Sequence, residues 1–404
     1  MNDGTPVTVL SGALGAGKTT TLNYLLTNAD RKLAVLVNDM GEVNVDAALI
    51  ENREGGVAEL SNGCICCDLR DDLEVEVSRL AREREFDHLV VESSGISEPA
   101  PVARLFTTGP ASAPYDLDTL VTVVNAAEFL DTVGGDETVT TERVERRRPD
   151  RVESEGEVRP LSELLVAQVE TANVLLVNKC DLVSDEELAE VEELLTSLNP
   201  GARIVRATHG EVAPPDLLDT ASFDLDTVSE TEAWQRAVEH ADHADSDGHE
   251  GDHAGHSPQA TYGIDSFVVR ARRPLHPGRF ADFLREFPEG VVRSKGLVWG
   301  AGREDVSLHF SQAGPSRRVA VQGRWIASLP ESRQSVQRKM HPEVEWDDGW
   351  GDRRVEVVFI GKAMDEDAIR ETMDECLLTE AEFEGEWDEF ENPFPDENGD
   401  PFVA

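Results

Sequence analysis

The chain has 404 residues, more than one compact core usually contains, so we expect two or three domains. Hydrophobic residues make up 39% of it, enough for packed cores, which excludes wholesale disorder. Aspartate and glutamate number 81 against 37 lysines and arginines, and the formal charge of -44 excludes a protein that coats DNA or RNA. Only six of the basic residues are lysines, and such an acidic surplus indicates a surface adapted to a very salty cytoplasm.

The sequence shows no targeting signal, and this observation and the cysteine spacing both favour a cytoplasmic protein without membrane contact. The opening residues lack the basic and apolar stretches of a secretory signal, and no apolar run approaches the roughly 20 residues of a membrane-spanning helix. Three of the five cysteines stand within four positions, at 64, 66 and 67. This spacing is typical of metal ligation or redox chemistry in a reducing compartment, not of a disulfide framework.

The first half alternates apolar runs of strand length with amphipathic stretches of helical period. Runs that are apolar throughout indicate strands covered on both faces, as in a parallel sheet. The predicted strands are residues 7–10, 33–37, 89–91, 120–124, 174–177 and 203–205, and the predicted helices are 19–26, 71–82, 162–170 and 185–197. The alternation predicts a doubly wound α/β domain with a mostly parallel sheet and helices on both faces.

Changes of composition divide the rest of the chain. The predicted α/β domain covers residues 1–232, with a mobile acidic insert at 131–160, and a His- and Asp-rich linker follows at 233–260. Five strands and two helices predict a small α+β domain over 261–380. The strands are 264–269, 291–299, 306–310, 318–321 and 355–360, and the helices lie around 280–287 and 366–377. The acidic tail at 381–404 is expected to be disordered.

The clearest motif runs from Gly12 to Thr19 and reads Gly-Ala-Leu-Gly-Ala-Gly-Lys-Thr. It fits the GxxxxGK[ST] pattern between a predicted strand and a predicted helix, the context that a P-loop requires. Its glycines let backbone N–H groups converge on an oligophosphate, and the helix N-terminus adds positive potential. Lys18 is assigned to the β and γ phosphates and the Thr19 hydroxyl to Mg²⁺. The other nucleotide-binding candidates in this segment are Gly12, Gly15, Ala16, Gly17 and Thr20.

Two further segments complete the predicted nucleotide site. The apolar strand at 89–91 leads into Glu92, which could hold Mg²⁺ through water, and Gly95 follows with an amide placed to sense the γ-phosphate. Asn178, Lys179 and Asp181 follow the strand at 174–177. The Asp181 carboxylate can accept the two donors of guanine that adenine lacks, while Asn178 contacts the base edge and Lys179 lies along the ring. The pattern favours GTP over ATP.

Two groups of residues are candidate metal ligands. The thiolates of Cys64, Cys66 and Cys67 suit Zn²⁺ or Cu(I), but their spacing cannot close a tetrahedral site without outside ligands, so an open or transient site is expected and a redox role stays open. Five of the ten histidines fall within 17 residues of the linker and predict a weak, fast-exchanging metal trap, with a solvated linker as the alternative. These are His240, His243, His249, His253 and His256.

Taken together, these motifs resemble the CobW family of P-loop GTPases, metallochaperone-like relatives of the urease and hydrogenase accessory GTPases. The likeness covers nearly the whole chain except the insert, the linker and the tail. It is carried by residues 12–19, 41–46, 62–67, 92–95 with 98–99, and 168–181, and in the second half by 293–299 and 351–361.

The resemblance implies a slow GTPase with GTP or GDP and Mg²⁺ as cofactors, whose Cys-x-Cys-Cys site binds Zn²⁺ or another divalent metal and delivers it to a client protein. By position, Cys64, Cys66, Cys67 and Glu42 become the metal-site candidates, with Glu42 also on the first switch and Asp39 a further acidic candidate. Members of the family often carry a carboxylate where this chain has Val37, which leaves the thiolates as the main ligands.

Zinc delivery is the leading hypothesis, and cobalt delivery for corrinoid synthesis is the second. A metal buffer or sensor that binds nucleotide without hydrolysing it is the alternative of a different class, and measuring turnover separates the two. A nucleotide kinase is disfavoured, because a kinase has no evident use for a guanine reader beside a thiol cluster. The client, the metal and a homo-oligomeric state stay open.

Overall fold

The structure, a computed structural model, describes part of the chain in two compact units, residues 1–236 and 237–404. The described residues are 4–37, 57–59, 77, 80, 86–97, 99–108, 112–134, 138–140, 158–223, 264–342, 344–396 and 400–404. Within these residues no helix is both long and apolar enough to cross a bilayer.

Seven strands form the sheet of the first unit, in the order β3-β2-β4-β1-β5-β8-β9, and every neighbouring pair is parallel. The strands are β1 (Thr5–Ser11), β2 (Leu33–Val37), β3 (Val57–Glu59), β4 (His88–Glu92), β5 (Tyr115–Asn125), β8 (Val174–Asn178) and β9 (Arg203–Arg206). All six predicted strands are present, and β3 is added at one edge. The predicted α/β fold class is confirmed.

Helices cover both faces of this sheet. They are α1 (Lys18–Asn28), α2 (Pro99–Thr107), α3 (Phe129–Gly134), α4 (Leu161–Glu170) and α5 (Asp185–Leu198). Alternate residues of one strand enter two separate hydrophobic clusters: Leu89 and Val91 of β4 belong to one and Val90 to the other. Burial on both faces explains why the strands are apolar throughout rather than alternating. Of the predicted helix at 71–82, only Val77 and Leu80 are described, and both are helical and buried.

The parallel arrangement sets the place of the functional residues. The carboxyl ends of β4, β1, β5 and β8 lie side by side, with Leu10 paired to Glu92 and Asn125 paired to Asn178. Segments far apart in sequence therefore meet at one edge of the sheet, where open α/β folds bind their ligands.

The second unit contains a six-stranded antiparallel sheet in the order β10-β14-β11-β12-β13-β15. Its strands are β10 (Ile264–Ala271), β11 (Val291–Val298), β12 (Val306–Ala313), β13 (Ser316–Arg324), β14 (Val355–Lys362) and β15 (Phe402–Val403). Its helices are α6 (Pro277–Arg285), α7 (Glu331–Met340), α8 (Glu366–Cys376) and α9 (Glu380–Phe383). The five predicted strands and both predicted helices are present, so the α+β assignment is confirmed.

Two predictions of disorder need correction. The acidic tail is not disordered over residues 380–396 and 400–404, since β15 pairs with β13 and Phe394 is buried. Aromatic residues within the acidic stretch supply the contact area: the ring of Phe394 lies 5.4 Å from that of Phe280 and 5.0 Å from that of Phe402.

The insert at 131–160 is not mobile throughout. It starts within α3 and contains two paired strands, β6 (Thr138–Thr140) and β7 (Val158–Pro160), while residues 141–157 lie outside the described part. The linker at 233–260, with all five of its histidines, also lies outside the described residues.

Candidate nucleotide site

The P-loop needs its glycines for two different reasons. A Cβ at Gly12 would lie 2.3 Å from the Val123 carbonyl oxygen, and one at Gly17 would lie 2.3 Å from Asn178 Nδ2, so both positions exclude a side chain by close approach. Gly15 faces open space but has φ 79°, a left-handed conformation that side chains disfavour. The loop backbone therefore packs closely against β5 and Asn178 at Gly12 and Gly17, while the space beside Gly15 is open.

Helix α1 begins at Lys18 directly after this loop, with Gly17, which has no side chain, at the N-cap position. Backbone N–H groups at the start of a helix, together with the helix dipole, favour an anion. Lys18 is buried, and its Nζ donates hydrogen bonds to the carbonyl oxygens of Gly12 at 2.8 Å and Ala13 at 3.1 Å. These bonds hold the ammonium inside the curve of the loop, where it can neutralise phosphate charge. Ala16 is buried beneath the loop, and Thr20 is exposed on the first turn.

A hydroxyl and a carboxylate meet beside the loop. Thr19 Oγ1 donates to Glu92 Oε1 at 2.8 Å, and Glu92 is 5% exposed at the carboxyl end of β4. Hydroxyl and carboxylate oxygens are the ligands that Mg²⁺ prefers, so this pair fits the ion, for which Thr19 would be the ligand and Glu92 would act through water. When bound, Mg²⁺ supplies positive charge against the phosphates.

The loop after β4 lies directly against the P-loop. A Cβ at Gly95 would come within 2.6 Å of the Leu14 backbone nitrogen and 2.9 Å of its Cα, so only glycine allows this approach. The Ser93 N–H donates to the Leu10 carbonyl at 2.9 Å and continues the register of β1 and β4 by one step. The backbone of Gly95 therefore lies next to the P-loop, and the contact of its amide with the γ-phosphate stays a prediction.

The base-reading segment is attached to the P-loop through Asn178. Its Nδ2 donates to the Ala16 carbonyl at 2.9 Å, and its Oδ1 accepts from the Gly210 N–H at 2.9 Å. Both ends of the amide thus connect loops, a role that the motif alone did not indicate. The proposed contact of Asn178 with the base edge stays a prediction.

Lys179 and Asp181 follow at the surface of the same edge. Lys179 has φ 62°, and residues Cys180–Leu182 form one turn of 3-10 helix, which leaves the Asp181 side chain 34% exposed. His209 Nε2 lies 4.0 Å from Asp181 Oδ2. An exposed carboxylate at this position is accessible to a base, so guanine recognition by Asp181 remains the prediction for this segment.

The proposed metal ligands Asp39, Glu42, Cys64, Cys66 and Cys67 lie outside the described residues. Within the described part, no three His, Cys, Asp or Glu side chains come together as a metal site. The two described cysteines are also poor ligands, because burial raises the pKa of the Cys180 thiol and raises that of Cys376 to about 12. Neither of them replaces the cluster at 64–67.

Sequence reasoning missed three residues at this edge. Asn125 ends β5, where its Oδ1 accepts from the Ala127 N–H at 3.2 Å. Gly210 has φ 70°, and a Cβ there would lie 2.7 Å from the Thr21 nitrogen of α1. Gln168 on α4 donates its side-chain amide to the loop that contains Gly95. Asn125 ends one strand and Gly210 follows another, so their positions were available as a signal. Gln168 lies within a helix, and although it begins the segment 168–181 that carries the family likeness, nothing local indicated its contact with the Gly95 loop.

Comparison with known proteins supports the same assignment. The family model for the CobW/HypB/UreG nucleotide-binding domain matches residues 6–206, and the model for the CobW C-terminal domain matches residues 264–377. The zinc-regulated GTPase metalloprotein activator 1 of Dictyostelium discoideum is 39% identical over 403 residues, covering 93% of this chain and 80% of that protein.

Two bacterial relatives extend the match. The zinc chaperone CobW of a Sinorhizobium species is 30% identical, covering 72% of this chain and 81% of that protein, and the zinc chaperone YjiA of Escherichia coli is 28% identical, covering 90% and 96%. With its P-loop and the Asn178–Asp181 segment placed at one edge of a parallel sheet, the chain belongs to the CobW family of P-loop GTPases.

Proposed function

We propose that this GTPase is a metallochaperone that binds Zn²⁺ through Cys64, Cys66 and Cys67 and delivers it to a metal-dependent client protein. The relatives support the metal, since the names of all three refer to zinc. Thiolate ligands need a reducing compartment, which favours work in the cytoplasm. Soft ligands at an incomplete site suit a metal that has to leave again.

The proposal rests on the position of the two strands after which the metal-ligand candidates follow in the chain. Glu59 ends β3 and pairs with Val37, which ends β2 and pairs in turn with Glu92. Cys64 follows Glu59 by five residues, and a chain of that length spans at most about 18 Å. Asp39 and Glu42 follow Val37 by two and five residues. Both segments therefore start at the edge that carries the P-loop and Glu92.

This shared edge gives nucleotide and metal a physical basis for coupling. In P-loop GTPases, segments beside the γ-phosphate change conformation on hydrolysis. If the same segments carry the thiolates, the bound nucleotide changes zinc affinity, and linkage requires zinc to change GTP affinity by the same factor, typically about 5- to 150-fold. Hydrolysis would then convert a zinc-holding state into a zinc-releasing one.

The deciding measurement is zinc affinity with a hydrolysis-resistant GTP analogue and with GDP, by titration with a competing chelator. We expect the two affinities to differ by at least about 5-fold, and we expect Cys66→Ala to remove the difference. Replacing the five histidines from His240 to His256 is the matched control. It should lower the total zinc bound while the tight site and the nucleotide dependence persist.

Equal zinc affinity in both nucleotide states would contradict delivery driven by hydrolysis and favour a metal buffer. Loss of the tight site in the histidine variant would move the metal centre to the linker. The same titration with Co²⁺ tests the second hypothesis, since a cobalt chaperone should show the larger nucleotide dependence with that ion.

A further inference from the structure

Gln168 is a fully buried polar residue in the last turn of α4, and its side chain reaches the loop after β4. Its Nε2 donates to the Ser97 carbonyl oxygen at 3.1 Å and, through a longer contact, to the Gly95 carbonyl oxygen at 3.4 Å. Both partners are acceptors, so the NH₂ end of the amide must face the loop. One helix residue thus binds two carbonyl groups of a loop 71 and 73 positions earlier in the chain.

The loop itself is a compact turn with little freedom on its other sides. The Ser97 N–H and hydroxyl both bond to the Ser94 carbonyl, at 3.1 and 2.9 Å. Gly95 also lies so close to the backbone of Leu14 that a Cβ would not fit. Gln168 and the P-loop therefore hold the Gly95 backbone from two directions.

Gln168 is in turn fixed to the sheet. Its backbone carbonyl accepts a hydrogen bond of 2.7 Å from Thr122 Oγ1, a buried hydroxyl on β5. Its side-chain Oε1 is buried and has no hydrogen-bond partner within the described residues. A buried acceptor without a partner is destabilising, but an apolar side chain of similar size would leave the Gly95 and Ser97 carbonyls without the donor that Gln168 supplies. The amide can therefore serve both fold stability and loop position, and a difference between the triphosphate and diphosphate states distinguishes the two roles.

We propose that Gln168 is a positioning residue for GTP hydrolysis, which holds the Gly95 loop against the P-loop so that the Gly95 amide meets the γ-phosphate. GDP lacks that phosphate, so the effect should be confined to the triphosphate state. The inference rests on the assignment of Gly95 as the γ-phosphate sensor. It does not depend on zinc or on delivery.

The test compares Gln168→Met, which keeps the length but removes the donor, with Gln168→Glu, which places an acceptor opposite the two carbonyls. In both variants we expect single-turnover hydrolysis of GTP to slow by about 10- to 100-fold, since small misplacements of a reacting group have effects of that size. Affinity for a non-hydrolysable GTP analogue should fall, while GDP affinity stays within about 2-fold.

Asn199 provides the matched control, because it is also buried and also binds carbonyls of the same region. Its Nδ2 donates to the carbonyl oxygens of Val169, Glu170 and Ala172 at 2.8, 3.2 and 2.9 Å. Asn199→Leu should lower the melting temperature and leave the ratio of triphosphate to diphosphate affinity unchanged.

Two results would overturn the inference. One is normal hydrolysis in both Gln168 variants, and the other is a parallel loss of GDP and GTP-analogue affinity with the melting temperature, which is the signature of a merely structural role. The Lys18→Ala variant shows whether a negative result concerns Gln168 or the phosphate site as a whole. If Lys18→Ala also hydrolyses GTP normally, the assignment of the phosphate site is wrong. If Lys18→Ala loses hydrolysis while both Gln168 variants keep it, only the role of Gln168 is wrong.

Discussion

The two units bury different kinds of side chain. The core of the first unit is almost entirely valine, leucine and alanine, in one cluster on each face of the parallel sheet. The core of the second unit adds to its aliphatic side chains a set of aromatic rings in mutual contact, such as Phe267 on Phe359 and Trp299 on Trp350. Both units also bury polar side chains within their strands, for example Thr8 and His88 in the first and Arg293 and Lys295 in the second.

The difference follows from strand direction. Parallel strands bring all their carboxyl ends to one edge, so the loops that follow collect there and form a site above a plain aliphatic core. Antiparallel strands place successive loops at opposite edges, and the loops do not collect. The second unit therefore has a structural core without the convergent edge that makes the first a nucleotide site.

Trp299→Ala should produce the largest difference between the two units, by lowering the stability of the second unit alone. Trp299 is fully buried, and its ring lies 5.3 Å from that of Trp350 and 6.1 Å from that of Trp387. Removing it should cost about 3–5 kcal/mol of unfolding free energy, because a large cavity replaces the ring. Urea denaturation followed by tryptophan fluorescence reports this unit, since five of the six tryptophans belong to it.

Trp346→Ala is the control, because that ring is only half-buried and stacks on Arg338, so its removal should cost less than half as much. GTP affinity should stay unchanged in both variants. A loss of GTP affinity that follows the loss of stability would show that the two cores do not act separately.

Asp181→Asn tests the convergent edge itself. The exposed carboxylate of Asp181 is the predicted acceptor for guanine, and a contact of this type is worth roughly 2–4 kcal/mol, so GTP affinity should fall by about 30- to 800-fold. Affinity for ATP should barely change, which competition binding can measure for both nucleotides. Equal weakening of the two would mean that the segment does not read guanine.

The smallest expected effect is a loss of stability of the first unit in acid. His88 is fully buried, with Nε2 2.9 Å from Thr8 Oγ1 and Nδ1 3.2 Å from Asp219 Oδ1. Burial, aided by the charge of Arg31, lowers the pKa of His88 to about 4. The folded state thus favours the neutral ring. The stabilisation of the fold by neutral His88 is fully present above the unfolded pKa of about 6.5 and is lost as the pH falls towards 4.

Between pH 7.5 and 5 the loss should be about 2 kcal/mol of unfolding free energy, measured by denaturant titration at each pH. His88→Gln should remove this part of the slope. The described histidines of the second unit are half-buried or exposed, so acid should affect that unit less. An identical slope in wild type and His88→Gln would assign the acid sensitivity to other groups.

Local patterns in the sequence identified most of the secondary structure and the nucleotide motifs. Continuous valine and leucine runs predict buried parallel strands, and the P-loop is recognisable because each of its residues performs its function within one strand, one loop and one helix turn. Helix α7 was missed because none of its residues is buried, so no apolar period marks it. β15 was missed because two residues of strand are too short to produce a pattern.

By itself the sequence determined the fold class, the family and the P-loop motif, since these depend on residues that are close together along the chain, and it predicts Asp181 as the acceptor for guanine. Only the tertiary structure decided which distant side chains support them. Asn178 connects the P-loop to Gly210, Gln168 binds the Gly95 loop, and His88 binds Asp219 131 positions later. Such bonds join groups that chain folding brings together, and a single buried amide or imidazole within a helix or strand has no local pattern that reveals its partner.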